Sequence, residues 1–139
     1  MELHVIGAGG LGKELRSMLR ASPHSIAAIY DRDSSLGFSH PSTIPAGSSV
    51  AFALGDSSLR KEAYKELISG KYHFPRLVHP LAHLQDSSSI EIGKGSLLTN
   101  GCILTCDIFL GRFNFINLNC TIGHDVKLGD FCSLMPSVN

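Results

Sequence analysis

The sequence carries no concentration of positive charge. Its 12 Lys and Arg residues are balanced by 12 Asp and Glu residues, so the formal net charge at pH 7 is zero. It has no run of basic residues and no basic patch rich in aromatic side chains. Nucleic-acid binding depends on Lys and Arg side chains that neutralise phosphates. We therefore expect no nucleic-acid partner.

Long apolar runs are missing as well. No stretch approaches the roughly eighteen consecutive apolar residues that a membrane-spanning helix requires. The chain starts directly with a strand pattern at residues 3–6 and shows no export signal. Since 43% of the residues are hydrophobic, the composition is typical of a globular protein with its own core. We expect a cytoplasmic protein.

Cysteine is sparse, and its four positions do not form a metal-binding pattern. Cys102 and Cys106 have no second pair at the spacing of a zinc site, and we expect no metal. Cys102 and Cys120 lie eighteen residues apart, which leaves a disulfide as an alternative. Without an export signal, a reducing compartment and small buried thiols are the favoured interpretation.

A six-residue repeat fills the second half of the chain. Its first set of positions is aliphatic throughout: Ile92, Leu98, Leu104, Leu110, Ile116, Ile122, Leu128 and Leu134. Its second set, four residues later in each repeat, is mostly small or β-branched: Ser96, Cys102, Ile108, Asn114, Cys120, Val126, Cys132 and Val138. Counted backwards, the second set reaches Ile90, Leu84 and Val78. Short strands that turn every six residues, three to a coil of roughly eighteen, form a parallel β-helix.

The residues directly after the aliphatic position predict the corners of each coil. They include Gly93, Gly111, Asn117, Gly123 and Gly129. Glycine and asparagine accept the left-handed backbone conformation that a tight corner needs. We therefore expect left-handed corners at these positions, with Cys102 and Cys120 stacked on successive coils.

The first 75 residues alternate between strand and helix patterns. Strands are predicted at residues 3–6, 26–30, 50–54 and 76–78. The first helix follows the glycine turn of residues 7–12 and has on one face Leu11, Leu15, Met18 and Leu19. The second helix stops at Gly70 and has on one side Leu59, Ala63, Leu67 and Ile68. This β-α-β-β-α-β order predicts a small Rossmann-like α/β domain at residues 1–75, followed by an all-β domain at residues 76–139.

The glycine turn has three interpretations. Gly7, Gly9 and Gly12 match the G-x-G-x-x-G pattern, and Asp31 lies where an acidic residue would meet a ribose hydroxyl. The turn could bind the dinucleotide of an oxidoreductase, bind a nucleotide sugar, or join strand to helix without any ligand. Some 75 residues leave no room for the second half of a full dinucleotide fold, which favours the nucleotide sugar.

Both halves together resemble the bacterial sugar acetyltransferases, which include sialic-acid O-acetyltransferases and UDP-4-amino-sugar N-acetyltransferases. The similarity lies in residues 7–13, 29–31, 53–56, 77–80, 117, 122–125 and 128–131, so it spans the whole chain. It implies an acetyl-CoA-dependent enzyme of bacterial surface-glycan biosynthesis with a left-handed β-helix. It also implies a homotrimer with acetyl-CoA between neighbouring protomers, and a nucleotide sugar or sialic-acid-like sugar as the acceptor.

The resemblance assigns site residues in both domains. It implies that the nucleotide sugar is bound by residues of the first domain: Gly7, Gly9, Gly10, Gly12, Asp31, Gly55 and Asp56. Ser133 stands where many members have a histidine that faces the coenzyme. The sequence also departs from the family pattern at Leu11, in place of a histidine, and at Ser137, in place of a turn glycine.

His124 is the predicted general base. It occupies the third place of its repeat, outside both inward-facing sets, so packing does not account for it. Neutral imidazole can accept a proton, and a neighbouring carboxylate such as Asp125 can orient the ring. The family's matching residues have these roles, and Asn117 matches an asparagine near the acetyl group. The alternatives are a solvated turn residue at His124 and a left-handed corner residue at Asn117.

The extent of the repeat leaves alternatives open. Residues 78–139 make about three and a half coils of roughly eighteen residues each, whereas family members continue for several more. We therefore expect a truncated or partial chain. The alternatives to an acetyltransferase are a non-catalytic nucleotide-sugar-binding or assembly subunit and an NAD-dependent oxidoreductase.

Overall fold

The computed structural model describes all residues, 1–139, and they divide into two compact units. The first unit is Met1–Pro75 and the second is Arg76–Asn139. The structure contains no helix that is both long enough and apolar enough to cross a membrane.

The first unit is a three-stranded parallel sheet with two helices. Its elements are β1 (Glu2–Ile6), α1 (Gly10–Leu19), β2 (Ser25–Tyr30), β3 (Ser49–Phe52) and α2 (Ser57–Leu67). The strand order is β2-β1-β3, so β1 is central. Leu3 and Val5 of this strand are fully buried, as expected for a strand paired on both sides. Leu15 and Leu19 bury one face of α1, as its helical spacing predicted.

The packed face of α2 differs from the prediction. Ala63 and Leu67 are buried, but Leu59 is 48% exposed and Ile68, just beyond the helix, is 62% exposed. Arg60 takes the buried place instead, with only 2% of its surface exposed. Its guanidinium donates to the carbonyl oxygens of Leu54 and Gly55, at 2.9 and 3.0 Å. A charged side chain can be buried here because backbone acceptors receive its hydrogen bonds.

The second unit is a parallel β-helix of short strands. They are β4 (Leu77–Val78), β5 (His83–Leu84), β6 (Ile90–Ile92), β7 (Leu97–Leu98), β8 (Ile103–Leu104), β9 (Ile108–Leu110), β10 (Phe115–Ile116), β11 (Thr121–Ile122), β12 (Lys127–Leu128) and β13 (Ser133–Leu134). Three sheets form, with orders β13-β10-β7-β4, β11-β8-β5 and β12-β9-β6. The chain thus visits each sheet once per coil. β4 pairs with β7. The strand predicted at residues 76–78 therefore lies in the second unit, within the bounds predicted for the all-β domain, and does not belong to the β-α-β-β-α-β order in which it was counted.

The two inward-facing sets of the repeat are confirmed over the central coils. The core cluster contains Ile90, Leu98, Cys102, Leu104, Ile108, Leu110, Ile116, Cys120 and Ile122. Thr121 pairs with Ile103, so Cys102 and Cys120 lie on successive coils as predicted. All four cysteines are free thiols, and the Sγ of Cys102 donates to the carbonyl oxygen of Asn117 at 3.1 Å.

The backward extension of the second set is wrong at two positions. Val78 pairs with Leu98 and Leu84 pairs with Leu104, so both belong to the aliphatic set. The reason is a 3₁₀ turn, Ser87–Ser89, in the corner between β5 and β6. This turn lengthens the corner, because five residues separate Leu84 from Ile90 whereas three separate Leu104 from Ile108.

Left-handed corners recur every six residues, but two positions later than predicted. Positive φ angles occur at Gly95, Gly101, Asp107, Phe113, Asn119, Asp125, Phe131 and Ser137. Gly93 and Gly111 serve close packing instead, since a Cβ on Gly93 would collide with the carbonyl group of Gly111. Phe113 and Phe131 adopt the strained conformation while stacking, with ring centroids 5.1 Å apart. Such contacts offset the cost of a left-handed aromatic residue.

Asn114 is a polar residue in the β-helix core, with 1% of its surface exposed. Its Nδ2 donates to the carbonyl oxygens of Gly111 and Gly129, at 3.1 and 2.9 Å. Its Oδ1 accepts from the amide of Cys132 at 2.7 Å. The side chain therefore joins two coils, and each of its polar atoms has a partner, as buried amides require.

Candidate active site

The strongest candidate for chemistry is the corner between β11 and β12. His124 and Asp125 lie there side by side, with the Nδ1 of His124 2.8 Å from the Oδ2 of Asp125. Asp125 has a φ of 63°. Aspartate tolerates this left-handed conformation better than most residues do. The two side chains are 80% and 76% exposed. The pair is thus accessible to a ligand from solvent.

The same corner on the preceding coil supports this pair. The backbone amide of Asp125 donates to the carbonyl oxygen of Cys106 at 3.4 Å. Asp107 occupies the left-handed position of that coil, and its amide donates to the Oγ of Ser89 at 2.9 Å. The corner backbone is therefore tied to the coils beneath it, while the side chains of His124 and Asp125 remain accessible.

Asn117 lies at a different corner, between β10 and β11. Its backbone amide donates to the carbonyl oxygen of Leu134 at 3.1 Å. Its side-chain Oδ1 accepts from the amide of Leu118 at 2.8 Å, and its backbone is not left-handed. The structure therefore does not bring Asn117 together with His124 within one chain. Ser133 begins β13, where it pairs with Phe115 and is half-buried.

The glycines of the turn are of two kinds, those that close packing requires and those that it does not. Gly7 has a φ of 115°, and a Cβ there would collide with the carbonyl oxygen of Ala53. A Cβ on Gly12 would collide with the carbonyl oxygen of Gly7. The close approach of backbone segments explains both. Gly9 and Gly10 have no neighbour within 4 Å of the Cβ position and no positive φ, so the chain's own packing does not require glycine at either position.

Asp31 holds the glycine turn in place. Its Oδ2 accepts from the amide of Ala8 at 2.9 Å, and its Oδ1 accepts from the amide of Asp33 at 2.9 Å. The carboxylate therefore ties the end of β2 to the turn after β1. Each oxygen has a second lone pair, so these bonds do not prevent it from accepting a ligand's hydroxyl.

Gly55 and Asp56 lie at the start of α2. Asp56 is the N-cap residue, and its Oδ1 accepts from the amide of Leu59 at 3.0 Å. The carbonyl oxygen of Gly55 accepts from buried Arg60. Helix capping accounts for an aspartate at this position by itself. Both residues therefore have structural roles, whether or not they also contact a ligand.

A pocket of about 350 Å³ opens next to the glycine turn. Gly7, Asp31, Arg32 and Asp33 line one part of it, and the apolar residues are Ile6, Leu54 and Leu59. The sequence pattern did not predict four of the pocket residues, Arg32, Asp33, Leu54 and Leu59. Two signals were available: Arg32 and Asp33 directly follow Asp31, and Leu54 lies in residues 53–56, one of the segments that carry the family resemblance.

Charges around the pocket are arranged by specific partners. Arg32 forms ion pairs with Glu62 and Glu66 of α2, at 3.4 and 3.0 Å. Asp33 accepts from the Oγ and the amide of Ser35, at 2.6 and 3.0 Å, and these hydrogen bonds lower the pKa of Asp33. Its carboxylate is thus kept ionised. No group of three or more His, Cys, Asp or Glu side chains could hold a metal ion.

Comparison with known proteins gives a clear result only at the level of structure. No protein-family profile and no curated protein sequence matches the chain. Among solved structures, PerB from Caulobacter crescentus, in complex with CoA and GDP-perosamine, is 27% identical with a TM-score of 0.84. The match covers 98% of this chain and 69% of PerB. A variant of perosamine N-acetyltransferase from the same organism, in complex with the same two molecules, matches with 26% identity and a TM-score of 0.83.

Two further structures have the same fold. The acetyltransferase domain of PglB from Neisseria gonorrhoeae, in complex with acetyl coenzyme A, is 25% identical with a TM-score of 0.76. That match covers 94% of this chain and 68% of the domain. WeeI from Acinetobacter baumannii matches with a TM-score of 0.74 over 94% of this chain and 68% of its own, at 24% identity. Over nearly its whole length, the chain is therefore similar in fold to solved structures of bacterial acetyltransferases, among them a perosamine N-acetyltransferase.

Proposed function

We propose that the chain transfers an acetyl group from acetyl-CoA to the amino group of a nucleotide-linked amino sugar in bacterial surface-glycan biosynthesis. The observation that carries this proposal is the exposed His124–Asp125 pair on a hexapeptide-repeat coil. The similarity to PerB, whose structure contains CoA and GDP-perosamine, supports both substrates. It also favours an amine over the hydroxyl of a sialic-acid-like sugar, because the matching enzyme is an N-acetyltransferase.

His124 is proposed to act as the general base. In the tautomer that this role requires, the Nδ1–H group donates a hydrogen bond to Oδ2 of Asp125, and Nε2 carries the free lone pair. The sugar amine attacks the thioester carbonyl carbon, and Nε2 takes the proton that the amine loses. The carbon–sulfur bond then breaks, and coenzyme A leaves as a thiolate that takes the proton back from Nε2, which regenerates the neutral imidazole. Asp125 orients the ring and balances the imidazolium charge that forms.

The proposal includes a homotrimer. Asn117 and His124 lie at different corners of the coil, so both can serve one site only if neighbouring protomers each contribute one corner. Acetyl-CoA would lie in that groove, with Ser133 facing it. Sedimentation-velocity ultracentrifugation should then give a species of three times 14.9 kDa. A stable monomer at micromolar concentration contradicts this assembly.

The first unit is proposed to be a Rossmann-like nucleotide-binding domain. Gly9 and Gly10 support this role, since a Cβ at either position would meet only open space. Gly9 is also the N-cap of α1 and has no side chain to cap the helix. The first amides of α1 therefore lie beside an open surface, where a pyrophosphate can approach them. The glycine turn and the start of α2 are shaped by the remaining predicted residues: Gly7, Gly12, Asp31, Gly55 and Asp56.

A single assay tests the proposed reaction. The protein is incubated with acetyl-CoA and a GDP- or UDP-linked 4-amino sugar. We expect release of coenzyme A thiol together with one added acetyl group in the mass spectrum of the sugar nucleotide. A free sialic acid serves as the competing hydroxyl acceptor. If neither acceptor is acetylated, the proposal is contradicted. In a separate incubation with NAD, oxidation of the sugar would support the oxidoreductase alternative instead.

A further inference from the structure

Cys106 differs from the other three cysteines of the chain. Cys102 and Cys120 are fully buried, and the Sγ of each donates to a backbone carbonyl oxygen, at 3.1 and 3.0 Å. Cys132 is partly exposed, and its Sγ lies 3.8 Å from two backbone carbonyl oxygens. Cys106 is partly exposed as well, but its thiol makes no hydrogen bond within the chain. This thiol is therefore both accessible and without a partner.

Cys106 lies in the corner directly beneath His124. β8 and β11 pair in register, and the amide of Asp125 donates to the carbonyl oxygen of Cys106 at 3.4 Å, so the register continues into the corner. Equivalent positions on neighbouring strands are about 4.8 Å apart. The next residues, Asp107 and Asp125, have φ angles of 53° and 63°, so the two corners share one backbone conformation. The side chains of Cys106 and His124 therefore leave the backbone on the same side, one above the other.

A thiol stacked on an imidazole can become a nucleophile. The thiolate is the form that attacks a disulfide, and neutral imidazole can accept the proton that the thiol loses. The Nδ1 of His124 is held by Asp125 at 2.8 Å, which leaves Nε2 for this proton. The corner thus stacks a nucleophile, a base and a carboxylate that orients the base.

The ligand for this thiol follows from the chemistry at His124. The base has to meet the thioester, so the sulfur end of the coenzyme lies at this corner when acetyl-CoA is bound. A disulfide of coenzyme A carries the same nucleotide and the same arm, with a disulfide sulfur in place of the thioester sulfur. We propose that Cys106 is a modification site that forms a mixed disulfide with coenzyme A. This inference rests on the proposed function, because it requires the coenzyme to reach His124.

The exchange needs no further oxidant. The thiolate of Cys106 attacks one sulfur of the coenzyme A disulfide, a new sulfur–sulfur bond forms, and the old one breaks. The second coenzyme A leaves as a thiolate and takes the proton from the imidazolium of His124. One disulfide is consumed and one is formed. The attached coenzyme then occupies the place of acetyl-CoA, and acetyl transfer stops until a thiol reductant releases it.

Mass spectrometry tests the modification directly. The intact protein is incubated with coenzyme A disulfide, and the modified peptide is then identified. We expect one coenzyme A per chain, attached to Cys106, with acetyl transfer lost on modification and recovered with dithiothreitol. Oxidised glutathione at the same concentration should react about tenfold more slowly or less, because it lacks the groups that hold the coenzyme in place.

Three variants assign the roles. Cys106→Ser should take up no coenzyme A, and treatment should leave its own rate of acetyl transfer unchanged. Cys132→Ser is the matched control, since it removes the other partly exposed thiol, and it should be modified like the wild type. His124→Ala should form the adduct about tenfold more slowly or less, because the thiol loses its base, while its melting temperature stays the same.

The outcomes separate this inference from the proposed function. Absence of an adduct, an adduct on Cys132 instead, equal rates with oxidised glutathione, or an unchanged rate in His124→Ala overturns the modification site and leaves the acetyltransferase proposal standing. An adduct on Cys106 that leaves acetyl transfer intact also overturns it. If the adduct forms on Cys106 but neither sugar acceptor is ever acetylated, the acetyl-transfer reaction fails and the modification site stands.

Discussion

The Nδ1 of His124 lies 2.8 Å from the Oδ2 of Asp125, the next residue in the chain. Adjacent residues can make this contact because the backbone of Asp125 is left-handed, with a φ of 63°. The corner of the β-helix thus orients the imidazole locally. One turn of the coil thus supplies both the proposed base and the residue proposed to orient it.

Replacing His124 by alanine should separate catalysis from folding. We expect kcat to fall by roughly a hundredfold to ten-thousandfold, the usual range for loss of a general base. The melting temperature should hardly change, since the side chain is 80% exposed. His83→Ala, which removes another exposed histidine of the β-helix, is the control. Wild-type kcat in His124→Ala would exclude this histidine as the base.

Asp125→Asn should have a smaller effect than His124→Ala. An asparagine oxygen can still accept from Nδ1 and orient the ring, but it cannot balance the imidazolium charge. Asparagine also tolerates the left-handed conformation, so the corner should remain intact. Steady-state kinetics should place the kcat of this variant between those of the wild type and His124→Ala. A kcat equal to that of the wild type would contradict a role for the carboxylate charge.

The glycines of the turn should respond differently to alanine. Gly12→Ala should destabilise the first unit, because its Cβ would collide with the carbonyl oxygen of Gly7. Gly10→Ala should keep or raise the melting temperature, since alanine is favoured over glycine by up to about 1 kcal/mol within a helix. The same Gly10 variant should bind GDP more weakly, as measured by titration calorimetry. Undiminished binding would indicate that this surface does not meet a nucleotide.

Asp31→Ala should affect both stability and binding. The sequence alone suggested a ligand contact, but the carboxylate also accepts from the amides of Ala8 and Asp33. Loss of such charge-assisted bonds costs about 1–3 kcal/mol, which urea unfolding can measure. Nucleotide binding should weaken as well, because the glycine turn loses its tie to β2. An unchanged free energy of unfolding would show that these hydrogen bonds contribute nothing net.

Acid should weaken the β-helix partly through Asp130. Arg112 lies 2.8 Å from this carboxylate, and its hydrogen bonds lower the pKa of Asp130. A carboxyl group whose folded pKa is depressed stabilises the fold above its unfolded pKa, and this stabilisation is lost as the pH falls through the folded value. The loss should therefore occur below about pH 4. Melting temperatures of Asp130→Asn should fall less steeply than those of the wild type over this range, and parallel curves would contradict the assignment.

The coiled architecture was predictable because its signal is a repeat. Leu98, Leu104 and Leu110 face inward for the same reason at each coil, so one rule covers many residues. The corners were misplaced because several left-handed positions are occupied by residues that rarely adopt this conformation, namely Phe113, Phe131 and Ser137. Their cost is offset by contacts between coils, which a single sequence does not display.

The pocket residues were missed for a different reason. Leu59 fits the apolar spacing of a helix and was assigned to the core, although Arg60 occupies that face. Which side of α2 is buried depends on the carbonyl groups of Leu54 and Gly55, which accept from Arg60. Such backbone acceptors leave no trace in a hydrophobic pattern. The His124–Asp125 pair was proposed because the histidine had no packing role, and the 2.8 Å contact between the two side chains is compatible with the proposed role.

The regular pairing of the β-helix has a consequence for its folding kinetics. From β6 onwards every strand pairs with one exactly a coil away, as Ile90 with Ile108 and Phe115 with Ser133. Each new pairing therefore closes a loop of the same modest length, whereas most all-β folds must join strands far apart in sequence. Once one coil has formed, the next can add to it at nearly constant entropic cost. The domain should then assemble coil by coil, as repeat proteins do when folding starts at one point and propagates.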